Sequence, residues 1–302
     1  MELAELHLHL DGSLRPDTVR ELAQQHGVAV PRGLLFHAGM GLSDALSRFA
    51  FTLSLLQHPD AVRRVAREIC EDAARDGVTV LELRFAPQLH RGAGLATVVD
   101  AALEGVAGRA GVILCALYGE SPDVAEALVE VAASRPGVVG LDLAGGPAPE
   151  HSFRMTDYAD AFTEAKRLGL GRTVHAGEGR PAAELRVAIE RLHAQRIGHG
   201  TTLLDDPAVV DLVRARGVTL EACPTSNVHT GVIPAVAAHP LPRWLELGVR
   251  ACVCADNTLL SDVSSAEEHR RAATIPGMTP ALLARCVAYA HEARFVRAAT
   301  KT

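Results

Sequence analysis

Eight times along this chain a short apolar run rich in β-branched residues gives way to a stretch with helical spacing, and that alternation constrains the fold more than any other feature. The apolar runs are residues 3–10, 78–86, 112–118, 138–143, 173–176, 196–199, 218–222 and 249–255. Between them, residues 60–75, 97–108, 122–134, 157–168 and 181–194 place apolar side chains three and four apart, and several open with Pro, Ser or Asp near the first turn. Strands this short and apolar must be buried on both faces, which calls for parallel βαβ units. The pattern predicts an α/β fold, a TIM-type (β/α)8 barrel. An open, doubly wound sheet is the competing arrangement, but it normally carries a glycine-rich phosphate loop after its first strand. Here that strand runs into His7-Leu8-His9-Leu10-Asp11-Gly12. No low-complexity segment or Pro/Gly/Ser linker divides the chain, so residues 1–302 are expected to form a single barrel domain.

Charge and composition exclude several partners. Lys and Arg number 30 against 36 Asp and Glu, a formal charge of −6 with no cationic run. A phosphate backbone or an anionic lipid surface needs a basic footprint that is missing here, so neither nucleic acid nor membrane is expected as a partner. The start, Met1-Glu2-Leu3-Ala4-Glu5, has neither the basic residues nor the apolar core of a signal peptide, and a cytoplasmic location is expected. The six cysteines are scattered and read as reduced thiols. Cys252 and Cys254 would share one strand face beside Asp256, and are expected to be buried structural thiols rather than metal ligands. The sequence leaves a homo-oligomer open.

In such a barrel the chemistry sits at the C-terminal ends of the strands. Strand one ends in His7 and His9, strand five in His175 with Glu178 just beyond, strand six in His199, and strand eight in Asp256-Asn257. His7 and His9 are two apart, so both imidazoles point to the barrel interior. Two histidines at that spacing are a weak signal alone. Their convergence with His175 and Asp256, from strands one, five and eight, offers three imidazole nitrogens and a carboxylate oxygen, a donor set that suits Zn²⁺. Histidines such as His58, His90, His193 and His291 fall on helix or loop sequence and show no such convergence. Two-metal hydrolases of similar barrels usually need a bridging ligand, often a modified lysine, at the end of strand four. The only lysines are Lys166 and Lys301, neither of them there, so one metal ion per chain is expected.

Six ordered motifs, His7-Leu8-His9-Leu10-Asp11-Gly12, Gly140-Leu141-Asp142-Leu143-Ala144-Gly145, Val174-His175-Ala176-Gly177-Glu178, Ile197-Gly198-His199-Gly200, Cys223-Pro224-Thr225-Ser226-Asn227 and Ala255-Asp256-Asn257, resemble the adenosine deaminase family over almost the whole chain. The resemblance implies a barrel with extra lid helices and a zinc-dependent hydrolase that converts adenosine or 2′-deoxyadenosine to inosine or 2′-deoxyinosine plus ammonia. It implies one Zn²⁺ held by His7, His9, His175 and Asp256. Carbon six of adenine is a poor electrophile, and a bound Zn²⁺ that lowers the pKa of water to roughly 7 supplies hydroxide at neutral pH. By the same resemblance, His199 is the general base or electrostatic anchor for that water. Asp256 accepts a hydrogen bond from the hydroxide as well as binding zinc. Glu178 protonates ring nitrogen N1, a role that asks for a carboxyl raised by burial. Substrate contacts implied are Asp11 to the ribose 5′-hydroxyl, the Gly145 N–H to N3, Asn257 to N7 and His9 at the same site.

Two departures matter. Many members carry Asp-Asp where this chain has Asp256-Asn257; an amide donates to the N7 acceptor without needing a proton, so recognition is preserved. The segment matching the family's lid, residues 34–57, is short, and Ala45 stands where an aromatic is often found. Leu42, Leu46 and Phe49 share a helical face that would cover the substrate or pack onto the barrel. A thinner lid leaves open a 5′-modified adenosine nucleoside, of aminodeoxyfutalosine or methylthioadenosine type. Outside deamination, an amide- or ester-cleaving amidohydrolase and a catalytically silent purine-binding relative are the competing readings.

Overall fold

The computed structural model describes residues 2–146 and 151–297. Eight strands form one sheet in sequence order: β1 (Leu3–His9), β2 (Val78–Phe85), β3 (Gly111–Leu117), β4 (Val138–Ala144), β5 (Gly171–Ala176), β6 (Arg196–His199), β7 (Thr219–Ala222) and β8 (Arg250–Val253). All neighbours pair in parallel. The sheet closes through a bridge between Leu8 and Asp256. At this seam the His9 N–H donates to the Asp256 carbonyl at 2.8 Å and the Asp256 N–H to the His7 carbonyl at 2.9 Å. The predicted (β/α)8 barrel is therefore the observed fold, and residues singled out for chemistry also join its ends.

Outward-facing Leu83, Leu114, Leu141, Val174, Ile197, Leu220 and Val253 are buried against helical residues such as Val65, Val98, Leu128, Phe162 and Val213. Each such burial contributes about 1.5–3 kcal/mol. Register puts the alternate residues inside. Cys252 pairs with Glu221 and so faces inward; it and Cys254, Sγ atoms 3.7 Å apart, pack with Ala4, Leu6 and Cys223 as buried thiols.

Helical boundaries depart from expectation where caps intervene. The stretch 181–194 yields only the helix Ala183–Glu190, because His193 takes φ +54° and the Ala194 N–H turns back to the Ala188 carbonyl. Strand β5 starts two residues earlier than the apolar run at 173, since Gly171 and Arg172 continue the register against Gly140 and Leu141. Three α-helices lie between β1 and β2, Pro16–Gln25, Leu42–Leu55 and Pro59–Arg75, after a 3-10 turn at Leu10–Gly12, and the second overhangs the barrel mouth. Lys166 is exposed on the helix Ala159–Arg167, while Lys301 lies outside the described residues. No described helix is long and apolar enough to cross a membrane.

Candidate functional site

A cavity of about 290 Å³ opens at the C-terminal end of the strands. Its wall includes His9, Asp11, Gly145, His175, Glu178, His199, Asp256 and Asn257, brought there from β1, β4, β5, β6 and β8. His7 lies just behind, fully buried. A larger groove of about 810 Å³ beside the helix Pro16–Gln25 contains none of these imidazoles and is not a site for this chemistry.

The imidazoles converge tightly. His9 Nε2 lies 3.3 Å from His175 Nε2, and both His7 Nε2 and His9 Nε2 lie 3.5 Å from Asp256 Oδ1. Ligand atoms of His7, His9 and Asp256 fall within 4.8 Å of one another, as do those of His7, His175 and His199. Gly198 makes room, since a Cβ there would sit 3.0 Å from His7 Cε1. His7 Nε2 is buried without a hydrogen-bond partner. A buried, unpaired lone pair beside two more imidazoles and a carboxylate fits a divalent cation.

The opposite ring nitrogens explain why Nε2 points inward. His7 Nδ1 is 2.7 Å from Glu221 Oε2, and His175 Nδ1 is 3.1 Å from Asp142 Oδ2. Each carboxylate accepts the Nδ1 proton and so fixes the tautomer that presents Nε2. His199 Nδ1 lies 3.1 Å from the Asn227 amide, and its Nε2 is 3.7 Å from Glu178 Oε2. Burial holds the His199 ring down to about 4, so it is neutral near pH 7.

His199 and Asp256 adopt φ of +66° and +63°, a left-handed backbone uncommon for residues with a Cβ. Such strain, of order 1–3 kcal/mol each, persists where surrounding contacts enforce it and clusters at functional sites. Asp256 is enforced by the β1–β8 seam. Asn257 packs so closely on Gly12 that a Cβ there would come 2.1 Å from its Oδ1, and that oxygen has no partner. Burial pushes the Asp11 carboxyl up to about 7, with the Asp256 charge adding to it; its Oδ1 is also unpartnered.

Over the mouth, Leu42, Ala45, Leu46, Phe49 and Leu53 of one helix line the cavity with Phe36. The wall opposite includes Ala86, Leu89, Cys115 and Leu117.

The structure thus places every sequence-derived site residue in or against one cavity. Sequence reasoning missed the supporting charges: Glu221, Arg84, and the orienting parts played by Asp142 and Asn227. For the three charged residues the signal was charge inside a mostly apolar strand, as in Val78–Phe85, where Glu82 and Arg84 are both buried; Asn227 on its short helix gave none.

The family model described as adenosine deaminase matches residues 3–302. The chain belongs to the adenosine deaminase family. Relatives include an adenosine deaminase of Mycolicibacterium vanbaalenii, 37% identical over 306 residues that cover 89% of this chain and 83% of the relative. One from Enterococcus faecalis is 34% identical over 289 residues, covering 89% and 85%. Among solved structures, an adenine deaminase from Arthrobacter aurescens superposes with a TM-score of 0.89 at 27% identity, covering 99% of this chain and 94% of that one. A Burkholderia ambifaria amidohydrolase solved with bound Zn gives 0.87 at 26%, covering 98% and 86%. Membership makes the chain a hydrolytic deaminase with a barrel fold.

Proposed function

We propose that this enzyme deaminates adenosine and 2′-deoxyadenosine hydrolytically, with one Zn²⁺ held by His7, His9, His175 and Asp256. The observation that carries this reading is one cavity in which His9, His175 and Asp256, with His7 just behind them, face Glu178 and His199, with no Lys or Arg in its wall among the described residues. When bound, zinc supplies the acidification that makes water a nucleophile near neutral pH.

The chain's own residues do the rest. Glu178, 6% exposed, donates a proton to ring nitrogen N1 and so makes carbon six electrophilic. His199 takes the proton that the attacking water gives up. The Asn227 Oδ1 has no partner as oriented, and exchanging its amide O and N lets it accept the His199 Nδ1 proton, freeing the Nε2 lone pair for this task. Asp256 orients the water by accepting a hydrogen bond. Carbon six then becomes tetrahedral, the amino group takes the proton held by His199 and leaves as ammonia, the new hydroxyl returns its proton to Glu178 as the carbonyl forms, and N1 keeps its proton in the inosine product. Gly145 N–H and the Asn257 amide donate to N3 and N7, and Asp11 meets the 5′-hydroxyl.

The wall also argues about the 5′ end. A 5′-phosphate dianion beside Asp11 would find no Lys or Arg in the cavity wall among the described residues to pair it, so the wall favours a neutral nucleoside over a nucleotide. A second reading is favoured by the lid: small Ala45 among Leu42, Leu46, Phe49 and Leu53 gives an apolar roof with room for a 5′-thioether or larger neutral 5′ group.

Ammonia release from adenosine, 2′-deoxyadenosine, adenine, AMP, 5′-methylthioadenosine and aminodeoxyfutalosine separates these. The proposal expects adenosine to exceed AMP by at least about 100-fold in kcat/KM, on the order of 3 kcal/mol. Turnover of only a 5′-enlarged member moves the function to the second reading, and equal turnover of AMP contradicts the argument from charge.

A further inference from the structure

On the Nδ1 side of the imidazoles the barrel interior is charged, and one side chain there is used by no step above. Arg84 of β2 is fully buried. Its Nη1 donates to Asp142 Oδ2 at 2.8 Å and its Nη2 to Glu221 Oε2 at 2.9 Å. These are the carboxylates that hold His175 of β5 and His7 of β1. Its Nη2 also donates to the Leu6 carbonyl at 2.6 Å, the residue just before His7.

We propose that Arg84 is a positioning residue that sets the spacing and Nε2 presentation of two metal-ligand imidazoles at once, through one rigid guanidinium fork. The proposal rests on the metal-centre reading above. Three features support it. The fork grips Glu221 by Oε2, the same oxygen that faces His7, so rotation of that carboxylate and rotation of the ring are coupled. The same guanidinium reaches Asp142, so the two imidazoles share a common reference although their strands are separated within the barrel. Burial leaves no water to substitute for a lost donor, and an ammonium cannot reproduce a planar two-pronged contact.

The fold contains its own control. Arg196 is equally enclosed, 1% exposed, and its Nε lies 2.7 Å from Glu221, but at Oε1, the oxygen turned away from His7. Its other ion pair is with Glu82, which holds no imidazole, and among the described residues it makes no ion pair or hydrogen bond with Asp142. If buried positive charge were all that mattered, the two arginines would be interchangeable.

The test compares Arg84→Lys with Arg196→Lys in the full chain. It reads the zinc dissociation constant by chelator competition and the visible spectrum of the cobalt-substituted protein. Arg84→Lys should weaken zinc about 10- to 100-fold, the range seen when orienting partners of metal ligands are removed, and should alter the cobalt spectrum. Arg196→Lys should leave both close to wild type. Equal effects of the two substitutions, or none from Arg84→Lys, overturn the proposal. If Arg84→Lys does not fold, Asp142→Asn and Glu221→Gln report on its two arms; each should weaken zinc by about ten-fold, and unchanged affinity in both overturns the role. Wild-type protein that binds no zinc overturns the metal-centre reading itself, a distinct result.

Discussion

At the scale of single residues, the cavity wall presents the groups proposed to touch the reacting atoms, and a buried layer behind it presents the groups that hold them. Glu178, the proposed acid, lies 3.7 Å from His199 Nε2 and on the cavity wall. Glu178→Gln keeps the shape and removes the proton, so metal content and substrate affinity should persist while kcat falls roughly 10²- to 10⁴-fold. Atomic zinc analysis alongside steady-state kinetics checks both halves, and near-normal kcat would remove Glu178 from the acid role. The proposed reacting groups, which the structure brings to one cavity, were legible in the sequence because His, Glu and Asp at strand ends are chemically informative wherever a barrel is expected. The holding groups were not. Arg84 sits with Glu82 in an eight-residue strand of mostly apolar residues, and Glu221 in a four-residue one. Only the register shows that both face inward, toward imidazoles distant in sequence.

At the scale of elements, the helix Pro224–His229 connects a buried carboxyl to the site. The Thr225 N–H at its first turn donates to Glu268 Oε1 at 2.7 Å, and the same short helix carries Asn227 against His199. Burial pushes the Glu268 carboxyl from its ordinary 4.5 up to about 7, against the lowering effect of Thr225 and Arg271. The folded protein therefore binds a proton more tightly than the unfolded chain between these values. This contribution to stability is complete below pH 4.5 and is lost as pH rises through about 7. Glu268→Gln should remove that loss: measured by urea unfolding, the variant should gain about 2–3 kcal/mol relative to wild type between pH 4.5 and 8. A pH-independent difference would place the titration elsewhere. Helix existence was readable from apolar spacing, whereas helix ends were not, because they depend on caps such as the left-handed His193 that spacing does not encode.

At the scale of the whole molecule, the barrel's closure and its chemistry share residues. Backbone groups of His7, His9 and Asp256 make the seam between β1 and β8, while their side chains converge on one point. The alternation of apolar runs and helical stretches made the barrel legible because each unit announces itself locally. The charged interior and the apolar roof follow from how distant units meet. The central claim is that three imidazoles and one carboxylate hold a single catalytic zinc for adenosine deamination. Its most direct test strips the protein of metal with a chelator, adds Zn²⁺ back in steps, and records ammonia release from adenosine at each step. The account predicts no turnover without metal and a linear rise that saturates at one equivalent per chain. Full turnover in the stripped protein, or saturation only at two equivalents, would contradict it.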